Sequence, residues 1–249
     1  MTQLSSCRKP TRFTVFRRGL CLGISLLVTG TAFGDGNVVN KVYHPYVDAL
    51  ESELEYRGIV QDEQKGQVNP SQIHRLSYGR SFGNNLFGEL NLIGARERGG
   101  SFDADAFELE LKWQLTEQGE YDADFGMVFE YEQKTGSDVQ ELVAGFLVEK
   151  EIGRWSGAAN LFLKEEWGDD IRGEFETAAA LQARYRYVRS FEPAFELYMG
   201  QDTFALGPAV LGSAIVGTRK TVSWEAGVMF GESDTSPNTT FRFLLEFEF

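Results

Sequence analysis

Carboxylates spaced two residues apart are the side chains in this sequence best placed to do chemistry. Such pairs include Glu53 and Glu55, Glu108 and Glu110, Glu130 and Glu132, Glu174 and Glu176, and Glu246 and Glu248. Residues i and i+2 of a β-strand point to the same face, so each pair presents two acids side by side. Adjacent acids can exchange a proton, bind a cation or line a polar path. Period-two alternation in a strand produces such pairs automatically, so the pairs alone do not show which role applies. That depends on where the strands that carry them lie.

A nucleophile with a base is the second chemistry to consider. Beyond residue 34 the histidines are His44 and His74, and Ser77 follows His74 by three positions. In a strand an odd separation places two side chains on opposite faces, so His74 and Ser77 cannot form a dyad without a bulge. We therefore expect His74 to be a strand residue near a rim and predict no catalytic residues. Catalysis by His74 or by the paired acids remains an alternative.

Metal and cofactor motifs are absent from the sequence. The two cysteines, Cys7 and Cys21, lie near the N-terminus, the histidines are far apart, and Asp169-Asp170 lacks calcium-loop spacing. No glycine-rich loop of phosphate-binding type occurs. The sequence predicts no metal site and no cofactor.

The first 34 residues have the three parts of a secretory signal. Five basic residues and no acidic ones precede an apolar stretch from Leu20 to Val28, which is too short to span a bilayer. Small residues follow, and we predict cleavage before Asp35. We expect residues 1–34 to be a signal peptide, 35–50 a periplasmic N-terminal segment, and 51–249 one further domain. Tyr43 to Tyr46 is expected at its periplasmic rim or mouth.

Removing the signal changes the composition. The whole chain has 24 basic and 37 acidic residues, and without the signal's five basic residues the balance is 19 − 37 = −18. So acidic a chain is not expected to bind nucleic acid. Both cysteines are lost, which excludes disulfides and thiol chemistry. The remaining 249 − 34 = 215 residues contain no run of 18 apolar residues, so no transmembrane helix is expected.

Period-two alternation of apolar and polar residues fills the rest of the chain and predicts strands. We predict twelve: Glu51–Val60, Gln72–Phe82, Leu86–Ala95, Ala104–Leu115, Asp122–Glu132, Val139–Lys150, Trp155–Trp167, Gly173–Val188, Ala194–Gln201, Ala209–Arg219, Thr221–Gly231 and Thr239–Phe249. Ten strands remain an alternative, because strands nine and ten alternate least clearly. The odd-numbered connections tend to be longer than the even-numbered ones, an asymmetry typical of outer-membrane barrels.

The last predicted strand carries the clearest pattern. Phe241, Phe243, Leu245, Phe247 and Phe249 share one face, and charged residues fill most of the other. With the export signal and the alternating strands, this terminal strand resembles that of a Gram-negative outer-membrane β-barrel of the small porin-like kind. The resemblance implies an all-β fold, a single antiparallel transmembrane β-barrel in the cell outer membrane. It also implies that the five apolar residues serve as a C-terminal signal for the barrel-assembly machinery.

In such a barrel one face of each strand contacts the outer-membrane lipid and the other faces the lumen. The charged face gives the predicted lumen-lining residues: Glu53, Glu55, Arg57, Glu108, Glu110, Lys112, Glu130, Glu132, Lys164, Glu174, Glu176, Arg184, Arg186, Glu225, Arg242, Glu246 and Glu248. Acids outnumber bases eleven to six among them, which favours small cationic solutes if the lumen is open. We predict a small passive channel. A structural or binding barrel with a plugged lumen and a lipid-modifying enzyme are the alternatives.

Tryptophans test the membrane interpretation. In the predicted register Trp113, Trp155 and Trp224 lie near the short-turn side and Trp167 near the long-loop side. Aromatic side chains prefer the two membrane interfaces, where the ring and its polar edge are both satisfied. The four are therefore predicted interface aromatics.

Overall fold

The computed structural model describes residues 39–62, 71–96, 99–169, 171, 173–201, 203–233 and 235–249. The predicted signal peptide lies outside these residues. The described part of the chain holds no helix long and apolar enough to cross a membrane.

Twelve strands form the described part of the chain, as predicted. They are β1 Ser52–Asp62, β2 Gln72–Ser81, β3 Leu86–Arg96, β4 Phe102–Gln114, β5 Asp124–Lys134, β6 Gln140–Ile152, β7 Trp155–Trp167, β8 Glu174–Tyr185, β9 Glu192–Met199, β10 Phe204–Gly217, β11 Lys220–Gly231 and β12 Thr239–Glu248.

Every strand pairs antiparallel with its neighbours in sequence, and β12 pairs with β1 to close the barrel. The closing register places Tyr56 opposite Leu245 and Glu55 opposite Glu246. Residues opposite each other in a ladder share a face, so apolar and charged side chains of β1 and β12 remain segregated across the seam. The expected single antiparallel barrel of twelve strands is confirmed.

Large apolar side chains cover the outside of this barrel. Leu54, Leu90, Leu109, Leu161 and Phe243 are each more than two-fifths exposed, and they come from five different strands. Acidic and amide side chains alternate with them and are buried. An exposed apolar belt around a closed barrel is the surface that a transmembrane barrel presents to lipid.

The two ends of the barrel differ. We call the end that holds Ser52 and Phe249 the terminus end, and the opposite one the loop end. Connections of two residues, 153–154 and 218–219, occur at the terminus end, and Gly153 accommodates its turn with a φ of 64°. The terminus end also has one long connection, residues 115–123. The loop end has connections such as 63–71 and 232–238, as the sequence predicts.

Strand β10 begins five residues before its predicted start at Ala209. It runs through Pro208, which lacks an N–H and cannot donate to a ladder. Pairing with β9 is continuous at this position, where Pro208 lies opposite Phe195. Pairing with β11 is interrupted between Leu206 and Ala209. Pro208 is tolerated because the β10–β11 ladder has no hydrogen-bonded pair at this position, so no N–H is needed there.

Candidate functional site

The predicted lumen residues lie on the face opposite the exposed apolar belt. Glu55, Arg57, Glu108 and Arg242 are at most 2% exposed, although their neighbours in sequence lie on the outer surface. Lys112, Glu130, Lys164, Glu174, Glu176, Arg184, Glu225, Glu246 and Glu248 are half-buried on the same face. Arg186 follows the end of β8 and pairs with Glu151 at the terminus end.

Acids and bases pair across the inner face. The Arg242 guanidinium is 2.6 Å from a carboxylate oxygen of both Glu196 and Glu225. Arg57 pairs with Glu55, and Lys164 lies 3.5 Å from Glu141. Buried charges are costly unless paired and hydrogen-bonded, so these contacts allow the charged face to point inward.

Several inner residues were absent from the prediction. Arg75 lies 2.6 Å from Glu108, and Glu196 accepts hydrogen bonds from Gln182 and Tyr198. Glu89 is 4% exposed between the outward-facing Leu90 and Gly88. The alternation of β3 was sufficient to place Glu89 inside.

Residues 39–48 lie inside the barrel, whereas Tyr43 to Tyr46 are expected from the sequence at its periplasmic rim or mouth. The Val47 N–H donates to Gln114 Oε1 (2.7 Å) near the terminus end, and the segment then passes toward the middle of the lumen. There Asn160 of β7 receives a hydrogen bond from the Tyr43 N–H (2.7 Å) and donates one to the Tyr43 carbonyl (2.9 Å). The Asn160 side-chain amide thus satisfies the backbone N–H and carbonyl of Tyr43, which have no strand partner.

Side chains of this segment reach inner carboxylates around the wall. The Tyr43 hydroxyl lies 2.8 Å from both Glu110 and Glu130, and the Tyr46 hydroxyl 2.9 Å from Asp124. Further contacts join Lys41 to Glu55 (3.4 Å), His44 Nδ1 to Glu149 (2.7 Å), and Asn40 to Arg57. The segment is held from β1, β4, β5, β6 and β7 at once, so it crosses the lumen.

Lys41 supplies a positive charge to the most acidic part of the wall. Carboxylate oxygens of Glu53, Glu55 and Glu246 lie within 4.8 Å of one another. The Lys41 ammonium contacts Glu55 and lies 4.0 Å from Glu110. Burial would lower the pKa of Lys41, but Glu110, Glu55 and Glu89 raise it above its ordinary value. Lys41 is therefore a fixed counter-charge.

One side of the lumen is apolar, which the sequence did not predict. Val39, Val42 and Tyr43 pack against inner residues of β5 to β11: Val128, Val143, Leu147, Ala158, Phe162, Ala178, Ala180, Tyr198, Ala205, Ala209 and Met229. Five of these are alanines, small enough to leave room for the segment. The segment thus packs apolar side chains against one wall and extends polar ones to the other.

Space remains on both sides of the segment. A cavity of about 300 Å³ lies beside it, lined among others by Glu53, Glu246, Lys112 and Trp224. A smaller one of about 40 Å³ is lined by Asn40, Glu130 and Lys164. On the surrounding wall the side chains of Arg57, Glu55, Arg242 and Glu196 are at most 1% exposed. The middle of the lumen is filled in this conformation.

His74 and Ser77 point to opposite faces, as expected from their spacing. His74 lies on the outer surface, where Nδ1 is 2.7 Å from the Tyr56 hydroxyl and the ring packs edge-on to Phe102. Ser77 is buried and donates to Asn91. The two residues therefore form no catalytic dyad.

Comparison with known proteins identifies the architecture. No protein-family model matches the sequence, and neither does any curated protein. Solved structures do match. A KdgM porin in complex with disordered oligogalacturonate shares 13% identity, with 79% of this chain and 98% of that chain covered and a TM-score of 0.51. An outer membrane channel from Pseudomonas putida F1 shares 12% identity over 83% and 96% of the chains, with a TM-score of 0.56. The chain has an outer-membrane porin-like fold.

Three of the four predicted interface aromatics lie at strand ends of the porin-like barrel. Trp113 and Trp155 lie at the terminus end of β4 and β7, and Trp167 at the loop end of β7. Trp224 lies in the first half of β11, which starts from the terminus end. In the closing strand Phe241, Phe243, Leu245 and Phe249 face outward and are exposed, and Phe247 is half-buried. Its role as an assembly signal remains a prediction.

Proposed function

We propose that the protein is a small passive channel of the outer membrane, in which residues 39–48 form the constriction. The observation that carries this proposal is that the middle of the barrel is closed by a segment that is not part of its wall. Cavities on both sides of the segment supply the remaining path. The names of the two structural neighbours, a porin and a channel, support the same class of function.

The preferred solutes are small cations. Eleven acids face six bases among the predicted lumen residues, and Glu53 and Glu246 line the larger cavity. Carboxylates along a path attract cations and repel anions. The oligogalacturonate named with the KdgM porin is a polyanion, so the solutes of this barrel differ in charge from that ligand.

Conductance of the purified protein in planar bilayers tests this function. We expect small steps for the wild type and larger ones for a variant that lacks residues 39–47, because the deletion removes all but the last residue of the lumenal segment. Well-folded deletion protein without conductance would contradict the channel and leave a plugged structural or binding barrel.

The cation preference has its own test in a salt gradient. Replacing both Glu53 and Glu246 with Gln should shift the reversal potential toward that of an unselective pore. Glu165→Gln is the matched control, because Glu165 lies on the outer face near the loop end. Equal selectivity in the double variant and the wild type would rule out the proposed role of these acids.

A further inference from the structure

The Tyr43 hydroxyl has one hydrogen but contacts two carboxyl groups. Its oxygen is 2.8 Å from Glu110 Oε2 on β4 and 2.8 Å from Glu130 Oε1 on β5. A phenol can donate one hydrogen bond and accept others, whereas an ionised carboxylate only accepts. If both acids were ionised, one of these contacts would hold no hydrogen. One of the two carboxyl groups therefore carries a proton when the segment is docked.

Glu130 is the better holder of that proton. Lys41 Nζ lies 4.0 Å from the same Glu110 oxygen that Tyr43 contacts, which favours the ionised form of Glu110. The contacts then form a chain in which Glu130 donates to the Tyr43 oxygen and Tyr43 donates to Glu110. Such a chain gives each oxygen a partner in a poorly hydrated site.

Other charged groups surround this chain on every side. Arg57 of β1, Arg75 of β2, Glu89 of β3, Glu108 of β4, Glu132 of β5 and Lys164 of β7 face it from the wall. Arg57 and Arg75 already pair with Glu55 and Glu108. Lys164 pairs with Glu141. The nearby bases thus already have acidic partners of their own.

We propose that docking of residues 39–48 in the lumen is coupled to protonation of Glu130, so that the segment is released as pH rises. The inference rests on the proposed channel function, because it makes that channel pH-dependent. The docked state holds one proton more than the undocked state, so docking is favoured at low pH. When Glu130 loses this proton to solvent, two carboxylates face the Tyr43 oxygen with one hydrogen between them. One linked proton changes the docking equilibrium by up to about tenfold per pH unit.

His44 is a second ionisable residue of the docked segment. Its Nδ1 lies 2.7 Å from Glu149, a carboxylate that also accepts from Ser156 and faces Arg184 and Arg186. Histidine is the side chain whose charge ordinarily changes between about pH 5 and 8. The test must therefore separate His44 from Glu130.

Two readouts between about pH 5 and 9 test the proposal: bilayer conductance, and labelling of a cysteine introduced by Val39→Cys. Val39 is buried in the docked segment, and the predicted mature chain has no other cysteine. Labelling rates are divided by those of the unfolded chain at each pH, which removes the thiol's own titration. In wild-type background we expect both conductance and labelling to rise with pH.

Glu130→Gln should keep the segment docked at every pH, because the amide N–H donates to Tyr43 without titrating. Tyr43→Phe should raise labelling throughout and flatten its pH dependence. Glu165→Gln, the same change on the outer face, should behave as wild type.

The proposal is overturned if Glu130→Gln retains the wild-type pH response, or if His44→Gln alone abolishes it. Loss of conductance with an intact labelling response would instead contradict the channel.

Discussion

Arg242 neutralises two acids at a position closed to water. Its side chain and that of Glu196 are both 0% exposed, and each of its two terminal nitrogens lies 2.6 Å from a carboxylate oxygen. Arg242→Met should lower the free energy of unfolding by about 3–5 kcal/mol, because the buried Glu196 and the half-buried Glu225 lose their counter-charge. Denaturant titration of the protein in liposomes measures this change.

A second substitution separates charge from packing. Adding Glu196→Gln to Arg242→Met removes one of the stranded charges and should recover a large part of the loss. Arg186→Met is the matched control, since its partner Glu151 is 31% exposed and such a pair is worth about 0–1 kcal/mol. Equal losses for Arg186→Met and Arg242→Met would show that burial does not set the value of these pairs.

The sequence alone predicts on which face of a strand a residue lies, but it does not predict which residues that side chain contacts. Alternation in β1 and β4 predicts Glu55 and Glu108 on the inner face, and each is 2% exposed. It could not show that Tyr43 meets Asn160, 117 residues away, because that contact depends on how the closed barrel brings β7 to the segment. The lumenal position of Tyr43 is not predictable from the sequence, because no local periodicity marks an unpaired segment.

At the scale of elements, the backbone of β11 leaves no space for a side chain at Gly207 of β10. A Cβ on Gly207 would lie 1.9 Å from the Val228 carbonyl oxygen, which is backbone and cannot rotate away. Gly207→Ala should therefore force the two strands apart and cost about 1–3 kcal/mol or more. The effect is measured by gel electrophoresis of unboiled samples, in which the fraction of protein that migrates as folded barrel should fall.

Gly157→Ala provides the comparison within the same barrel. A Cβ there would meet only the Lys150 carbonyl oxygen, at 4.0 Å, so we expect wild-type stability. If both variants were equally stable, the approach of β10 to β11 would not depend on glycine.

The number and order of the strands were predictable because each strand keeps its period of two. The residues at which a strand begins and ends depend on its pairing with the adjacent strands. β10 extends to Phe204 because β9 pairs with it through Pro208, and no pattern within residues 204–208 shows that pairing. The lumenal position of residues 39–48 is the same kind of case. An extended segment with polar and apolar residues has no partner until a barrel surrounds it.

At the scale of the whole molecule, the barrel separates three environments. The outside is apolar, one inner wall is charged, and the other inner wall is built from small and aliphatic side chains. The sequence predicted the first two, since they alternate within single strands. The third was missed because strands such as β7 carry apolar residues on both faces, so Ala158 and Phe162 point inward while Leu161 points outward.

The outer belt makes a depth-dependent prediction. Leu109, in the body of β4, and Leu115, just beyond its terminus end, both lie on the outer surface and are 52% and 39% exposed. In a bilayer an arginine near the midplane of a barrel costs about 2–4 kcal/mol, and one near the interface about 0–1. Leu109→Arg should therefore destabilise the protein in liposomes far more than Leu115→Arg. A barrel in water would tolerate both exposed arginines alike, so equal unfolding free energies for the two variants would contradict the membrane location of the belt.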